Sequence, residues 1–232
     1  MREPRAVLFD LDDTLYAQER FILSGFRAVA AHVAAASPLS ADDALEVLLD
    51  AFQDARGQEL QALAVRAGLA PAAVPGLVDL MRTHVPDLRL PELTRAVLCA
   101  LAPGWRLGIV TNGRPDIQAR KVRALGLGAL VSTVVYATEH GSGRGKPDRA
   151  PFLEACRRLG VAREAAVFVG DDPICDIAGA RDAGLRAIWL PARAVPPGDR
   201  TADVADIVVA SLAAVPGAAA RVLSPEWRAH AA

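Results

Sequence analysis

Lysine is nearly missing from this chain. Of 26 basic residues in 232, only Lys121 and Lys146 are lysines; the rest are arginines. The Arg- and Ala-rich composition reflects coding bias more than function, yet it makes each lysine position worth inspecting. Cysteine is scarce as well. Cys99, Cys156 and Cys175 are odd in number, widely spaced and without a C-x-x-C pair, which argues against a disulfide framework or a zinc site. The net charge of −1 gives no electrostatic case for nucleic acid or an anionic membrane as partner. No apolar run reaches membrane-spanning length, and no apolar signal region precedes the first strand-like segment. Internal repeats and low-complexity tracts are absent too. The expected setting is soluble, reducing and cytoplasmic.

What the chain does have is apolar content, 52% of residues. At this length that suits one large domain, or a domain with an insert. The segment Ala6-Val7-Leu8-Phe9 is apolar, flanked by charge and too short for a helix, so it reads as a buried strand. It delivers Asp10 and Asp12 to its carboxyl end, where open α/β sheets bind ligands. Two acids there invite a divalent cation, and one of them can serve as a nucleophile. Taken alone, acids after a strand also serve as turn formers and helix caps.

Residues 16–87 carry helical periodicity and almost no β-rich run. Phe21, Ile22, Phe26, Val29, Ala30 and Val33 fall on one stripe. Ser40 with Asp42 and Asp43 marks a helix start. Further helical runs cover 59–67 and 72–84, so the segment is expected to be an all-α insert of about four helices. Strand and helix then alternate. Strands are expected at 106–110, 133–136, 166–169, 187–190 and 207–209, and helices at 92–101 (opened by Pro91), 115–125, 149–159 and 177–183. The fold class is therefore α/β, a Rossmann-like parallel sheet flanked by helices, with core residues 1–15 and 88–232 and the helical insert between them. From Pro216 onward the pattern is too weak to assign.

Parallel strands share a carboxyl end, so several polar segments converge there. The first strand brings Asp10 and Asp12, and the second brings Thr111, Asn112 and Gly113. The fourth brings Asp171 and Asp172, with Asp176 a turn later, and Lys146 lies in the loop after the third. Acids, one hydroxyl and one lysine suit a magnesium ion and a phosphoryl group. Other readings stand beside this one: Lys146 as an ordinary loop lysine, Thr111 as a cap for the helix at Pro115, Asp172 as a structural group, Asp13 as a turn residue. His32, His84, His140 and His230 lack metal-ligand spacing, and Trp105, Trp189 and Trp227 read as packing residues. The glycine-rich run 141–146 is not a phosphate-binding P-loop, because its glycine spacing is short and Pro147 follows the lysine.

Four segments, DLDDTL at 10–15, TNG at 111–113, GKPD at 145–148 and GDDPICDIAGA at 170–180, occur in the order of the motifs of the haloacid dehalogenase-like hydrolases. The chain resembles that superfamily over most of residues 5–190, and the insert resembles its C1-type helical cap. The resemblance implies a Mg2+-dependent phosphatase acting on a small phosphorylated metabolite. Asp10 would be the nucleophile and Asp12 the acid and base, its backbone carbonyl also binding metal. Thr111, Asn112 and Lys146 would hold the phosphoryl group, with Asp171 completing the metal shell and Asp176 and Asp172 as further members. The family's 2-haloacid dehalogenases lack an acid at the position of Asp12, and its phosphonoacetaldehyde hydrolases need a cap lysine that 16–90 does not contain. A phosphomutase would use the same Asp10 and Asp12 and is the nearest catalytic alternative. A binding or regulatory protein on the same fold is the non-catalytic one.

Overall fold

The computed structural model describes residues 4–193 and 203–230; the side chains of 228–230, that of His230 included, lie outside the description. In chain order the elements are β1 (Ala6–Phe9), α1 (Glu19–Ala34), α2 (Ala41–Asp54), α3 (Glu59–Arg66), α4 (Val74–Thr83), α5 (Glu92–Leu101), β2 (Arg106–Thr111), α6 (Pro115–Ala124), β3 (Thr133–Tyr136), α7 (Arg149–Leu159), β4 (Ala166–Gly170), α8 (Gly179–Asp182), β5 (Arg186–Trp189), β6 (Ile207–Val208), α9 (Val215–Val222) and α10 (Pro225–His230). Two compact units emerge: Met1–Ala17 with Arg89–Ala232, and Gln18–Leu88. No helix of the described residues is long and apolar enough to cross a membrane.

The first unit is built on a parallel sheet in the order β3-β2-β1-β4-β5-β6. All four residues of β1 are fully buried, as a central parallel strand covered on both faces requires. β1 pairs with β2 on one side (Ala6 opposite Arg106) and with β4 on the other (Ala6 opposite Ala166). The connection direction reverses at β1, so the carboxyl ends of β1, β2 and β4 share the switch point where such sheets bind ligands. One face packs Leu8, Val110, Val135 and Phe168 against Phe152, Ala155 and Leu159 of α7. Phe152 and Phe168 meet edge to face, 4.9 Å between ring centres.

The helical unit has its own core of Phe26, Val29, Val33, Leu48, Leu63 and Leu77. Ser40 caps α2, its hydroxyl accepting from the Asp43 N–H at 3.1 Å. The buried Ser24 hydroxyl joins His84 Nε2 (3.0 Å) and the Asp87 N–H (2.8 Å), so His84 is a structural tie of this unit.

Three elements differ from the sequence expectation. Pro91 precedes α5 in an extended conformation instead of opening it. The helix expected at 177–183 begins earlier, as a wide turn over Pro173–Ala178 that continues into α8. The Asp172 carboxylate accepts from the N–H groups of Ile174 (2.8 Å) and Cys175 (2.7 Å), which pulls the onset back. Its carbonyl accepts from both Asp176 and Ile177, which widens the turn. The unassigned tail contains α9, held by Val215, Ala218, Ala219 and Val222 at helical spacing. Two of those four are alanines, too small to stand out as a stripe.

Candidate active site

The β1 strand ends by passing the Asp10 N–H to the Val169 carbonyl of β4 at 2.9 Å. Asp10 is thereby fixed at the sheet centre, 7% exposed. The chain then turns sharply. Asp13 adopts φ 57°, a left-handed conformation that Asp tolerates better than most residues. Its N–H donates to the Tyr16 carbonyl at 2.9 Å, which folds Tyr16 back beside Asp12.

Lys146 is the electrostatic centre. Its ammonium, 4% exposed as a residue, donates to Asp10 Oδ1 at 2.5 Å and to Asp176 Oδ1 at 2.6 Å. It also lies 5.3 Å from the Phe168 ring centre. Burial alone would lower this ammonium, but Asp10 and Asp176 outweigh it and hold it above its ordinary value. Its loop is clamped by Asn112, whose Oδ1 accepts from the Lys146 N–H (2.7 Å) and whose Nδ2 donates to the Lys146 carbonyl (3.0 Å). Gly145, at φ 80°, makes the clamp possible, since a Cβ there would sit 2.4 Å from Asn112 Oδ1.

Asp10, Asp171 and Asp176 form one group, each with an oxygen within 4.8 Å of the others. Asp176 Oδ2 accepts from the Asp172 N–H at 3.1 Å and packs over Gly170, where a Cβ would come within 2.3 Å. Trp189 Nε1 donates to the Asp171 carbonyl at 2.7 Å and braces that loop from the end of β5. Three carboxylates against one ammonium leave a formal charge of −2. Burial accordingly pushes Asp10 up to about 7, with Lys146 opposing and Asp176 and Asp12 adding to it. Asp171 rises to about 6 through burial, Asp176 and Asp13. Hard oxygen ligands, close together and short of positive charge, fit a divalent cation.

Asp12 lies outside that group. Its carboxylate accepts from Tyr16 OH (2.6 Å), from Gln118 Nε2 (2.9 Å) and from Lys121 Nζ, at 2.8 Å to each oxygen. Burial, then Asp12, hold the Tyr16 phenol well above its ordinary range. Thr111, 1% exposed, accepts from Gln118 Nε2 at 2.6 Å and, among the described residues, directs its own proton to the Asn112 carbonyl at a long 3.3 Å. It caps no helix; Arg114 is the residue before α6.

The expected residues thus separate by position. Asp10, Lys146, Asp171 and Asp176 meet directly, and Asp12 and Thr111 meet through Gln118. The side chain of Asn112 is spent on Lys146, and that of Asp172 on its own turn. Tyr16, Gln118 and Lys121 were not anticipated. The available signals were the rarity of lysine and the three-residue spacing of Gln118 and Lys121 on the helix after TNG.

A phosphoserine phosphatase of Thermus thermophilus is 42% identical over 100 residues, 43% of this chain, and the match spans only 39% of that protein's length. A glyceraldehyde 3-phosphate phosphatase of Methanothermobacter thermautotrophicus is 31% identical over 194 residues, 80% of this chain and 85% of the relative. The crystal structure of a 2-haloacid dehalogenase from Pseudomonas syringae pv. Tomato DC3000 superposes with a TM-score of 0.64 at 31% identity, covering 94% of this chain and 99% of that one. Residues 4–184, which carry the ends of β1, β2 and β4 and the Lys146 loop, match the haloacid dehalogenase-like hydrolase family, and the chain belongs to it.

Proposed function

We propose that this protein is a Mg2+-dependent phosphatase of small phosphomonoesters that works through a phosphoryl group carried on Asp10. The observation behind the proposal is the unlike surroundings of two acids only two residues apart. Asp10 sits with Lys146 inside the three-carboxylate group, while Asp12 is held outside it by neutral donors and a second lysine. Two carboxylates in different environments suit two chemical tasks.

An Asp10 oxygen attacks phosphorus as the bond to the leaving oxygen breaks, and Asp12, having taken up a proton from solvent in place of one of its accepted hydrogen bonds, gives that proton to the leaving oxygen, so an alcohol departs. Water then attacks the same phosphorus, Asp12 takes its proton back, and the bond to Asp10 breaks to release phosphate. The Thr111 hydroxyl donates to a phosphoryl oxygen. Lys146 balances charge on Asp10 and the transferring group. Asp10, Asp171 and Asp176 would hold the cation, with the Asp12 carbonyl a further ligand; when bound, it supplies the positive charge that lets a carboxylate approach a phosphate dianion. The helical unit is assigned the task of a cap, which selects the leaving group.

The neighbour described as a dehalogenase does not redirect the proposal. A halide departs without a proton, so a site for halide displacement has no use for Asp12 and the donors around it. The first test is phosphate release from glyceraldehyde 3-phosphate, phosphoserine, phosphoglycolate, sugar phosphates, nucleoside monophosphates and p-nitrophenyl phosphate, with Mg2+ and with EDTA. Release that needs Mg2+ and disappears in Asp10→Asn is expected. Release that survives Asp10→Asn sinks the nucleophile assignment, and transfer between two hydroxyls of a sugar phosphate without release makes the protein a mutase.

A further inference from the structure

Lys121 is a buried cation for which the phosphoryl-transfer steps above give no task. Its side chain is 4% exposed, and it contacts both oxygens of Asp12 at 2.8 Å. Lysine is seldom buried unless paired, because removing an ammonium from water is costly. A purely structural pairing would suffice for folding, but here the partner is the one acid of the site that stands apart from the carboxylate group. Gln118, one turn earlier on α6, divides its amide between Asp12 Oδ2 (2.9 Å) and Thr111 Oγ1 (2.6 Å). Tyr16 supplies the remaining donor, to Asp12 Oδ1.

Taking the phosphatase proposal as its basis, we infer that Gln118 and Lys121 are positioning residues that aim Asp12 at the leaving oxygen and Thr111 at the phosphoryl group. A carboxylate free to rotate would present its oxygens in many directions. Three donors arriving from β1's turn and from α6 leave Asp12 one orientation. A hydroxyl that accepts from Gln118 keeps its own proton available, and its acceptor among the described residues is the Asn112 carbonyl, 3.3 Å away. Face and spacing on α6 therefore couple proton transfer to phosphoryl binding through two side chains that act on Asp12 and Thr111 instead of on the substrate. A compact ammonium can reach both carboxylate oxygens from one point, which a guanidinium fork does with a different geometry.

The leaving group provides a readout that a merely structural role would not move. An alkoxide needs the Asp12 proton to depart, whereas p-nitrophenolate leaves without one. The experiment compares kcat/KM of wild type, Lys121→Met, Gln118→Leu and Lys121→Arg on p-nitrophenyl phosphate and on the alkyl phosphomonoester that wild type cleaves fastest. For Lys121→Met the loss on the alkyl ester is expected to be about 10²-fold or more, the usual worth of general acid catalysis, and at least about tenfold greater than on the aryl ester. Gln118→Leu should show the same asymmetry to a smaller degree, and Lys121→Arg should recover part of the loss. Equal losses on both esters, or no loss on either, overturn the positioning role while leaving the phosphatase intact. If Lys121→Met does not fold, Gln118→Leu, which removes no charge, decides the matter by the same ratio. Absence of release by wild type on both esters is a different outcome: it removes the phosphatase proposal, and the positioning role with it.

Discussion

Replacing Lys146 by Met tests the electrostatics of the site without any substrate. Methionine preserves most of the volume but deletes the charge shared by Asp10 and Asp176. Two buried carboxylates and the half-buried Asp171 then face one another with a formal charge of −3 instead of −2. Breaking a buried ion pair by removing one partner costs about 3–5 kcal/mol. In a chain of this size each kcal/mol moves the midpoint by about 2–4 °C, so the core unit should melt about 6–20 °C lower. The pH dependence identifies the cause. Without Lys146, which opposes the effect of burial, the folded-state pKa of Asp10 rises further above its unfolded value. The folded protein then binds more protons than the unfolded chain, and the deficit grows as pH rises through that window. Thermal melts at pH 5.5 and 8.0 in EDTA should show the larger loss at pH 8.0, and Mg2+ should restore part of it there. A loss equal at the two pH values and indifferent to Mg2+ would refute the charge argument and leave only lost packing.

Metal binding to the native protein should compete with protons, because Asp10 at about 7 and Asp171 at about 6 must both be ionised to act as ligands. Mg2+ affinity measured by calorimetry should rise from pH 5.5 to 8, by about tenfold per pH unit for each proton displaced; a flat profile would contradict the ligand set. In EDTA the same shifts should make the native fold less stable as pH climbs from the ordinary carboxyl value of 3.8 to about 7, since the folded state holds protons the unfolded chain has lost. Gly170→Ala would place a methyl group 2.3 Å from Asp176 Oδ2, so the carboxylate must move. About 1–3 kcal/mol of stability should be lost to the overpacking, together with Mg2+ affinity and turnover, and a variant with native Mg2+ binding would show that Asp176 does not hold the cation.

The fold class was legible because β1, β2 and β4 are short apolar runs with turn residues at their ends, and burial on both faces produces that pattern. Strand positions agree to within one residue, from Arg106–Thr111 to Ile207–Val208. The onset of the segment at Pro173 was not legible, because a side chain bonding to nearby N–H groups leaves no trace in periodicity. The helix at Val215–Val222 was hidden by its alanines. In the site, acids and Lys146 could be placed at one sheet edge from topology alone. Which of them touch could not, because each contact joins distant parts of the chain. Lys121 meets Asp12 from 109 positions away, and Asn112 grips Lys146 from 34. Composition drew attention to Lys121 without saying what it would meet.

The place of β1 in the middle of the sheet has a consequence for how the protein comes into being. β1 leaves the ribosome with both its partners far downstream, Arg106 at 100 residues and Ala166 at 160. At about 5–20 residues per second it waits about 8–32 s for the second of them. Throughout that time Ala6-Val7-Leu8-Phe9 is an apolar strand with at least one edge unpaired, the kind of segment that pairs with other chains. The 71 residues of Gln18–Leu88 carry a core of their own and can fold meanwhile. Asp10 acquires its full surroundings only when Asp176 arrives, so the capacity for chemistry waits on three-quarters of the chain.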